Sequence, residues 1–306
     1  MKKISIVGAG RVGETTAQTL AQQQMSDEVV LLDVREGAAA GAALDIRQSA
    51  SFFGFDTRVT GGTDPALLKD SDLVVITAGS PRKPGMSRSD VLGVNRAVID
   101  SVVDEVLEHA PDCLLLLVTN PVDVLTWHAW KRTGWDRRRI FGQAGVLDTS
   151  RMASFMAEET GLSIRDVHAM VIGGHGDLMV PLTRLSTING VPVTDFLDAD
   201  TIERINERTR HGGAEVLGLR QVSSAYNAPA AAVATMVDAI SNNRRRVLPC
   251  VCVLDGEYGQ RDITGGVPAI LGRNGIEQVV ELTLEDAERA GFQTSIDSII
   301  EDIKTL

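Results

Sequence analysis

The chain has 306 residues, of which 43% are hydrophobic and 23% are charged, a composition typical of a soluble globular protein with one large or two moderate domains. Its formal net charge of −11 argues against nucleic acid and against an anionic membrane surface as partners, because both bind proteins with an excess of basic residues. The longest aliphatic run, residues 114–118, is far too short to span a bilayer.

The cysteines predict a reducing compartment. Cys113, Cys250 and Cys252 are odd in number, and the C-x-C spacing of the last two differs from the C-x-x-C of redox and zinc sites. An apolar strand that begins by Ile4 leaves no room for a signal peptide. We therefore expect a cytoplasmic protein with free thiols and without a metal site.

The first motif is a glycine-rich turn that follows the apolar run at residues 4–7. The turn consists of Gly8, Ala9, Gly10, Arg11, Val12 and Gly13. Apolar residues then recur at helical spacing, so the order is strand, G-x-G-x-x-G turn and helix. This arrangement predicts dinucleotide binding, because the glycines let backbone amides at the start of the helix approach a pyrophosphate.

A second apolar run, residues 29–32, ends in Asp33. An acid at this position accepts hydrogen bonds from the adenosine ribose hydroxyls and repels a 2′-phosphate, which favours NAD over NADP. Arg35 lies close enough in the sequence to weaken that preference. The alternative, a solvated acid at a strand end, accounts less well for the glycine-rich turn twenty residues earlier.

Strands and helices continue to alternate through the first half. We predict helices at residues 41–53 and 91–109, strands at residues 58–60, 73–77 and 114–118, and a turn at Gly61-Gly62. The alternation predicts an α/β fold in which residues 1–143 form a Rossmann NAD-binding domain with a doubly wound parallel sheet.

Two segments follow strands of this predicted sheet. Residues 78–88 form a loop with two prolines and three basic residues, among them Arg82 and Arg88. Composition alone makes this a solvated loop, but a cationic loop at the carboxyl end of a strand is placed to close over an anion. Asn120 ends the next strand, and Pro121 then begins a helix, a position that proline tolerates well.

Three polar residues of the second half combine into a candidate catalytic group. Asp148 and Arg151 lie three residues apart, so both project from one helical face, where a salt bridge is the simplest interpretation. His175 follows a short apolar run within G-G-H-G, where a turn histidine bonded to backbone is the simplest interpretation. Together they favour catalysis, because a carboxylate can orient an imidazole while an arginine binds a substrate carboxylate.

The remaining elements predict a substrate domain over residues 144–306. We predict a hairpin at residues 180–188 closed by Asn189-Gly190, helices at residues 198–211 and 229–240, strands at residues 248–254 and 267–271, and a C-terminal helix with a capping box of Thr283 and Asp286. These elements do not alternate strictly, so an α+β fold suits them better than a second doubly wound sheet.

Five motifs in this order resemble the lactate/malate dehydrogenase family, most closely its lactate-dehydrogenase-like malate dehydrogenases. They are G-A-G-R-V-G, P-R-K-P-G-M-S-R, T-N-P, G-V-L-D-T-S-R and G-G-H-G-D. The resemblance covers essentially the whole chain. It implies NAD as the cofactor, a C4 dicarboxylate as the substrate, hydride transfer between malate and NAD as the reaction, and a homo-oligomer, either a tetramer or a dimer.

The resemblance also implies a role for each candidate residue. His175 would donate and accept the proton, with Asp148 as its orienting partner. Arg151 would bind the carboxylate beside the reacting carbon, Arg88 would polarise the carbonyl, and Arg82 would bind the distal carboxylate. Contacts with the cofactor are implied for Asn95, Val118, Thr119 and Asn120, the last of which would also contact the substrate.

One departure and three alternatives qualify this interpretation. Asn227 stands where close relatives carry a second aromatic residue, so the wall of the substrate pocket is less well defined there. The nearest alternative is a dehydrogenase for lactate or another 2-hydroxy acid, in which Arg82 would be a solvated loop residue. A nucleotide-sensing protein would not need His175, Asp148, Arg151 and Arg88 together. An NAD-dependent glycosidase would need a metal, and the sequence shows no convincing cluster of histidine and cysteine ligands.

Overall fold

The computed structural model describes residues 1–80 and 88–306, with side chains everywhere in these ranges except at residues 88 and 89. The elements of the first half are β1 (Lys3–Val7), α1 (Arg11–Gln22), β2 (Glu28–Leu32), α2 (Ala38–Gln48), α3 (Ala50–Phe53), β3 (Arg58–Gly62), β4 (Leu73–Ile76), α4 (Arg88–His109), β5 (Leu114–Leu117), α5 (Val122–Thr133) and β6 (Ile140–Gly142). No helix in the described ranges is long and apolar enough to cross a membrane.

Six parallel strands form the scaffold of the first half. They lie in the order β6-β5-β4-β1-β2-β3, which confirms the predicted doubly wound parallel sheet. The chain runs outward in both directions from the β1–β4 pair, and such a reversal leaves a crevice at the carboxyl ends of the strands where ligands bind. The glycine-rich turn follows β1, and residues 77–80 follow β4.

The second half adds further helices and antiparallel strands. Its elements are α6 (Gly145–Thr160), β7 (Val167–His168), β8 (Val171–Ile172), β9 (Val180–Pro181), β10 (Thr187–Ile188), β11 (Val191–Pro192), α7 (Ala199–Arg220), α8 (Asn227–Ser241), β12 (Arg246–Asp255), β13 (Arg261–Gly272), β14 (Gly275–Val279) and α9 (Asp286–Ile303). Single turns of 3₁₀ helix lie at Pro65–Leu68, Arg137–Arg139, Ile164–Asp166, Thr183–Leu185, Val193–Asp195 and Glu257–Gly259.

The α+β character predicted for the second half is confirmed, but the two halves share one sheet. Strands β12, β13 and β14 are antiparallel and extend the parallel sheet beyond β6. A continuous apolar core therefore runs from the first half into the second. A smaller cluster, which includes Met152, Met156 and Val193, packs α6 and α7 against the short strands. The division at residue 143 stays a prediction.

Two predictions for the first half are wrong in detail. The helix predicted at residues 41–53 is two helices, because the Ser49 hydroxyl donates to the carbonyl of Ile46 at 2.7 Å and the chain breaks there into α2 and α3. The turn predicted at Gly61-Gly62 is instead the end of β3. Gly61 serves packing, because a Cβ there would overlap the carbonyl oxygen of Ala39 in α2.

Three predictions for the second half are wrong in detail. The hairpin closed by Asn189-Gly190 is present, but it joins β10 to β11, while β9 pairs with β8. Helix α7 continues nine residues beyond its predicted end at His211, through Gly212, because this glycine packs against a side chain rather than ending the helix. The capping box of α9 involves Glu285 and Glu288 instead of Thr283 and Asp286.

Candidate active site

The glycine-rich turn is shaped by close backbone contacts. Gly8 has a φ of +107°, which favours glycine, and it carries the chain from β1 into the turn. A Cβ on Gly13 would overlap the carbonyl oxygen of Gly8, so the helix can approach the strand this closely with glycine alone. The Thr77 hydroxyl, beyond β4, donates to the same Gly8 carbonyl at 2.9 Å. The turn is thus fixed by its own backbone and by the neighbouring strand.

Gly10 faces open space, in contrast to Gly13. A Cβ on Gly10 would meet no atom of the described residues within 4 Å, although Gly10 is the residue that caps α1. Glycine offers no side chain to bind the first amides of the helix, so these donors and the positive end of the helix dipole stay available to an anion. This arrangement fits the pyrophosphate of a dinucleotide. Ala9, Arg11 and Val12 complete the turn around this space.

Asp33 lies at the end of β2 beside the glycine-rich turn, and its carboxylate is already bonded to the side chain of Arg35. The amide of Ala9 donates to Asp33 Oδ2 at 2.7 Å, and Arg35 Nε donates to Oδ1 at 3.0 Å. Burial opposes ionisation, but the side-chain and backbone hydrogen bonds from Arg35, with that from Ala9, outweigh it and lower the pKa of Asp33. The predicted acid is therefore a carboxylate that is shared between the turn and an exposed guanidinium.

The predicted residues beyond β4 and β5 lie together. Asn95 on α4 accepts from the Ser80 amide at 2.7 Å and donates to the Asn120 carbonyl at 2.6 Å, so it links the two strand ends. Thr119 is also buried, and its hydroxyl donates to the Ala78 carbonyl at 2.6 Å. Val118 is partly buried, whereas Asn120 is exposed at the carboxyl edge. Direct contact of these residues with the cofactor stays a prediction.

The structure describes the backbone of one of the two predicted loop arginines. Arg82 lies outside the described residues. Arg88 is the first residue of α4, the helix that follows β4 in the chain. The roles predicted for both side chains stay predictions.

The histidine turn is held by three different elements. The amide of Gly173 donates to the Gly266 carbonyl in β13 at 2.8 Å, and the amide of Gly174 donates to Ser295 Oγ in α9 at 2.6 Å. The amide of His175 donates to Asp123 Oδ2 in α5 at 2.9 Å. Three successive amides are thus bound in three directions, which fixes the backbone from which the imidazole projects.

His175, Asp148 and Arg151 meet in one buried cluster, as the sequence predicted. His175 Nδ1 lies 2.8 Å from Asp148 Oδ2, and Arg151 Nη1 lies 3.0 Å from Asp148 Oδ1. Asp148 is 2% exposed, Arg151 is 14% exposed and His175 is 18% exposed. The salt bridge considered as the simplest interpretation is therefore present, but its carboxylate also orients the imidazole. The bond at Nδ1 leaves Nε2 available to exchange a proton.

The cluster favours the charged imidazole. Burial lowers the pKa of His175, but the charge and hydrogen bond of Asp148 raise it by more than burial lowers it. The pKa of His175 is therefore above the ordinary histidine value. Asp123 adds to this rise, while Arg151 opposes it. A histidine with a raised pKa and an oriented ring is suited to donate a proton near neutral pH.

Arg151 is packed against two glycines of α7. A Cβ on Gly212 would lie 3.1 Å from Arg151 Cδ, and one on Gly213 would lie 3.5 Å from Arg151 Nη2. The absence of side chains at these two positions leaves room for the guanidinium beside Asp148. Gly212 and Gly213, which follow the predicted end of this helix at His211, therefore help to set the position of a candidate substrate-binding arginine.

A tyrosine links the second half to the glycine-rich turn. The guanidinium of Arg11 lies 5.4 Å from the centre of the Tyr226 ring, and that of Arg220 lies 4.3 Å from it. Arg220 lowers the pKa of Tyr226 through a hydrogen bond and its charge. Tyr226 precedes Asn227, the exposed first residue of α8. Asn227, the position that departs from the family pattern, is thus the chain neighbour of a residue that contacts Arg11 of the glycine-rich turn.

Comparison with known proteins gives consistent matches over the whole chain. Residues 2–142 match the family model of the lactate/malate dehydrogenase NAD binding domain, and residues 145–306 match that of the lactate/malate dehydrogenase alpha/beta C-terminal domain. A malate dehydrogenase from Thioalkalivibrio sulfidiphilus is 66% identical over 306 residues, which is 100% of both chains. The chain belongs to the lactate/malate dehydrogenase family.

Solved structures of this family have the same fold. The malate dehydrogenase from Salinibacter ruber is 43% identical with a TM-score of 0.95, covering 99% of this chain and 97% of that one. A lactate dehydrogenase from Cryptosporidium parvum, solved with lactic acid and nicotinamide adenine dinucleotide, is 37% identical with a TM-score of 0.95, again covering 99% and 97%. The Rossmann half of this family member and its α+β half are therefore both matched by experimental structures.

Sequence reasoning missed residues that lie around the catalytic cluster of this family member. Asp123 carried a weak signal as an acid in the first turn of a helix, a position where the helix dipole already explains it. Gly212, Gly213 and Ser295 gave no signal of a role at the site. Their placement depends on how α5, α7 and α9 pack around the histidine turn, which no local pattern encodes.

Proposed function

We propose that this chain is an NAD-dependent malate dehydrogenase, which interconverts malate and oxaloacetate. The observation that carries this proposal is the buried cluster in which one carboxylate, Asp148, binds both His175 and Arg151. The glycine-rich turn supports NAD as the cofactor, because Gly10 leaves space beside the exposed amides of α1. The relatives named malate dehydrogenase support the choice of substrate.

In this proposal His175 moves the proton. During oxidation of malate the neutral imidazole takes the hydroxyl proton at Nε2, while Asp148 keeps the proton on Nδ1 and stabilises the imidazolium that forms. During reduction of oxaloacetate the imidazolium returns that proton to the oxygen. Bound NAD supplies the hydride acceptor, and the chain orients the substrate and polarises it.

Three arginines bind the substrate in this proposal. Arg151 binds the carboxylate next to the reacting carbon, which suits a guanidinium held rigidly by Asp148 and by the glycines of α7. From the family pattern we assign Arg88 to the reacting oxygen, where it stabilises developing negative charge, and Arg82 to the distal carboxylate. Asn120, exposed at the carboxyl edge of the sheet, contacts both the substrate and the nicotinamide.

The raised pKa of His175 gives the two directions opposite pH dependences. Reduction of oxaloacetate needs imidazolium, so its kcat/KM holds below this pKa and falls as the pH rises through it. Oxidation of malate needs neutral imidazole, so its kcat/KM rises over the same interval. Each profile should therefore inflect at the apparent pKa of His175 in its own cofactor complex, with opposite slopes in the two directions.

The experiment that tests the proposal is an NADH oxidation assay with oxaloacetate, pyruvate and other 2-keto acids. We expect oxaloacetate to be the best substrate, because a second carboxylate buried without a partner would be costly. Arg82→Gln should lower kcat/KM for oxaloacetate by roughly 30- to 150-fold, the equivalent of 2–3 kcal/mol for a charge-assisted contact. Activity on pyruvate should hold or rise.

Arg88→Gln is the matched control, because it acts on the oxygen that both substrates share and should harm both. If Arg82→Gln leaves the ratio of kcat/KM for oxaloacetate to that for pyruvate unchanged, the malate assignment loses its main support from the sequence. The lactate alternative has one observation in its favour, the close structural match to a lactate dehydrogenase.

We further propose that the enzyme is a cytoplasmic homo-oligomer, either a tetramer or a dimer, whose reaction belongs to the tricarboxylic acid cycle. The three cysteines are buried and free, which suits a reducing compartment. Large apolar side chains are exposed on α2 and α3, namely Leu44, Phe52 and Phe53, and such a group suits a contact between subunits. Light scattering at micromolar concentration tests the assembly, and a monomer would contradict it.

A further inference from the structure

We propose that Asp123 is a positioning residue for His175 and a second carboxylate that supports the imidazolium. Its Oδ2 accepts the amide of His175 at 2.9 Å, so it holds the backbone of the residue that moves the proton. The inference deepens the proposed function, on which it rests for its meaning in catalysis. Its main test below measures the histidine directly and does not depend on turnover.

The charges of the cluster explain why a second carboxylate is needed. Asp148 gives one oxygen to Arg151 and the other to His175, so a single anion serves two buried cations once the imidazole is protonated. Arg151 therefore works against protonation of His175. With Asp123 ionised, two anions balance two cations, and the cluster is neutral in the imidazolium state.

The surroundings of Asp123 match this role. The residue is 5% exposed, and its Oδ1 has no hydrogen-bond partner among the described residues. Its backbone carbonyl accepts from Thr264 Oγ1 in β13 at 2.7 Å, which fixes the first turn of α5. In the described part of the chain this buried carboxylate accepts one hydrogen bond, from the amide of His175. Its charge can therefore stabilise a positive charge on the nearby imidazole.

Among the side chains that the structure describes, the charged groups that act on His175 come from two elements. Asp148 and Arg151 belong to α6, and Asp123 belongs to α5. The contacts from β13 and α9 come from an uncharged carbonyl and from Ser295. Asp177, two residues further along, is 81% exposed and lies 3.7 Å from His211, so water screens it from the cluster.

Burial, together with the charge of the nearby Asp148, raises the pKa of Asp123 above the ordinary aspartate value, and the amide and charge of His175 offset only part of that rise. The two groups are therefore coupled, because each becomes easier to ionise when the other is charged. Loss of the Asp123 charge should weaken the imidazolium.

The test is an NMR titration of imidazole resonances in the cofactor-free protein. The chain has five histidines, so His175→Asn identifies the signal of His175 by its disappearance. Asp123→Asn keeps an oxygen that can accept the His175 amide but removes the charge. We expect this variant to lower the pKa of His175 by roughly one unit, the low end for a neighbouring opposite charge.

Ser295→Ala is the matched control, because it removes the acceptor of the adjacent Gly174 amide without changing any charge. It should loosen the turn while leaving the pKa of His175 unchanged. The proposal is overturned if Asp123→Asn leaves this pKa unchanged or raises it, or if Ser295→Ala shifts it equally. Should Asp123→Asn fail to fold, Asp123→Ser removes the charge with a smaller side chain and is judged by the same criteria.

Kinetics then separate this inference from the proposed function. In Asp123→Asn the kcat/KM for oxaloacetate should begin to fall at lower pH, by about tenfold at pH values above the original pKa. The kcat/KM for malate should extend to lower pH. If the unmodified protein does not reduce oxaloacetate, the proposed function is wrong. The titration still tests whether the charge of Asp123 raises the pKa of His175, because it does not depend on turnover.

Discussion

The dinucleotide turn and the histidine cluster solve two binding problems in different ways. The turn uses backbone and empty space, with Gly13 against the Gly8 carbonyl and Gly10 facing open space at the start of α1. The cluster uses buried charged side chains, and Asp148 binds both His175 and Arg151. An anion that must be bound repeatedly needs exposed donors, whereas a proton that must be moved needs a ring with fixed orientation and shifted pKa.

The two regions also differ in how far apart their residues lie in the sequence. The turn lies within six consecutive residues, 8–13, so its shape follows from local sequence. The cluster draws on α5, α6, α7, β13 and α9, which are brought together by packing of the second half onto the sheet. Changes at the turn should therefore act on cofactor binding, and changes at the cluster should act on turnover and on the substrate.

The largest effect that this comparison predicts is that of His175→Asn. The variant should lower kcat by roughly 10²- to 10⁴-fold, because it removes a general acid and base. Binding of NADH, measured by fluorescence titration, should hold, because the glycine-rich turn and Asp33 belong to the first half of the chain, whereas His175 follows β8 in the second. A parallel loss of NADH affinity would show that the two regions are not separable.

The next largest effects distinguish two glycines of the turn, Gly10 and Gly13. Gly10→Ala should keep its melting temperature, since the Cβ meets open space, but it should weaken NADH binding more than about tenfold by intruding on the pyrophosphate. Gly13→Ala should instead lower the free energy of unfolding, by an amount on the order of 1–3 kcal/mol, because its Cβ overlaps the Gly8 carbonyl. Calorimetry and NADH titration of both variants decide this. Equal destabilisation by the two alanines would contradict the assignment of open space to the cofactor.

The same contrast explains what the sequence could predict. The parallel sheet, the glycine-rich turn and the Asp148–Arg151 pair follow from apolar runs and helical spacing, and the structure confirms each. Asp123 was missed because burial of an acid in the first turn of a helix leaves no local pattern. The predicted end of α7 at His211 was wrong, since a glycine that makes room for a distant guanidinium, as Gly212 does, looks the same in sequence as one that ends a helix.

Gly212→Ala tests that correction. Its Cβ would lie 3.1 Å from Arg151 Cδ, so the guanidinium must shift relative to Asp148. We expect KM for oxaloacetate to rise about fivefold, the equivalent of roughly 1 kcal/mol, with little change in NADH binding. Gly218→Ala on the same helix is the control, because no atom of the described residues lies within 4 Å of its added Cβ. It gains the same helix propensity, and its KM should not change.

The smallest effect concerns Arg35, the exposed partner of Asp33 beside the turn. Its guanidinium is 65% exposed and bonds to both oxygens of that carboxylate. In a complex with NADPH the same guanidinium could turn to the 2′-phosphate and offset its repulsion by Asp33. Arg35→Ala should therefore widen the preference for NADH over NADPH, by roughly threefold because solvent screens an exposed cation.

The measurement is the ratio of kcat/KM for NADH to that for NADPH, taken with oxaloacetate at low and at high salt. Arg58→Ala is the control, because Arg58 makes a similar ion pair with Glu28, is 69% exposed, and lies at the other end of β2 and β3. It removes the same charge far from the turn, so its ratio should stay unchanged. The effect of Arg35→Ala should shrink as salt increases, since an exposed charge acts across screened solvent. A ratio that falls in Arg35→Ala would mean that this guanidinium serves NADH instead, by holding Asp33 and Ala9 in place for the adenosine ribose.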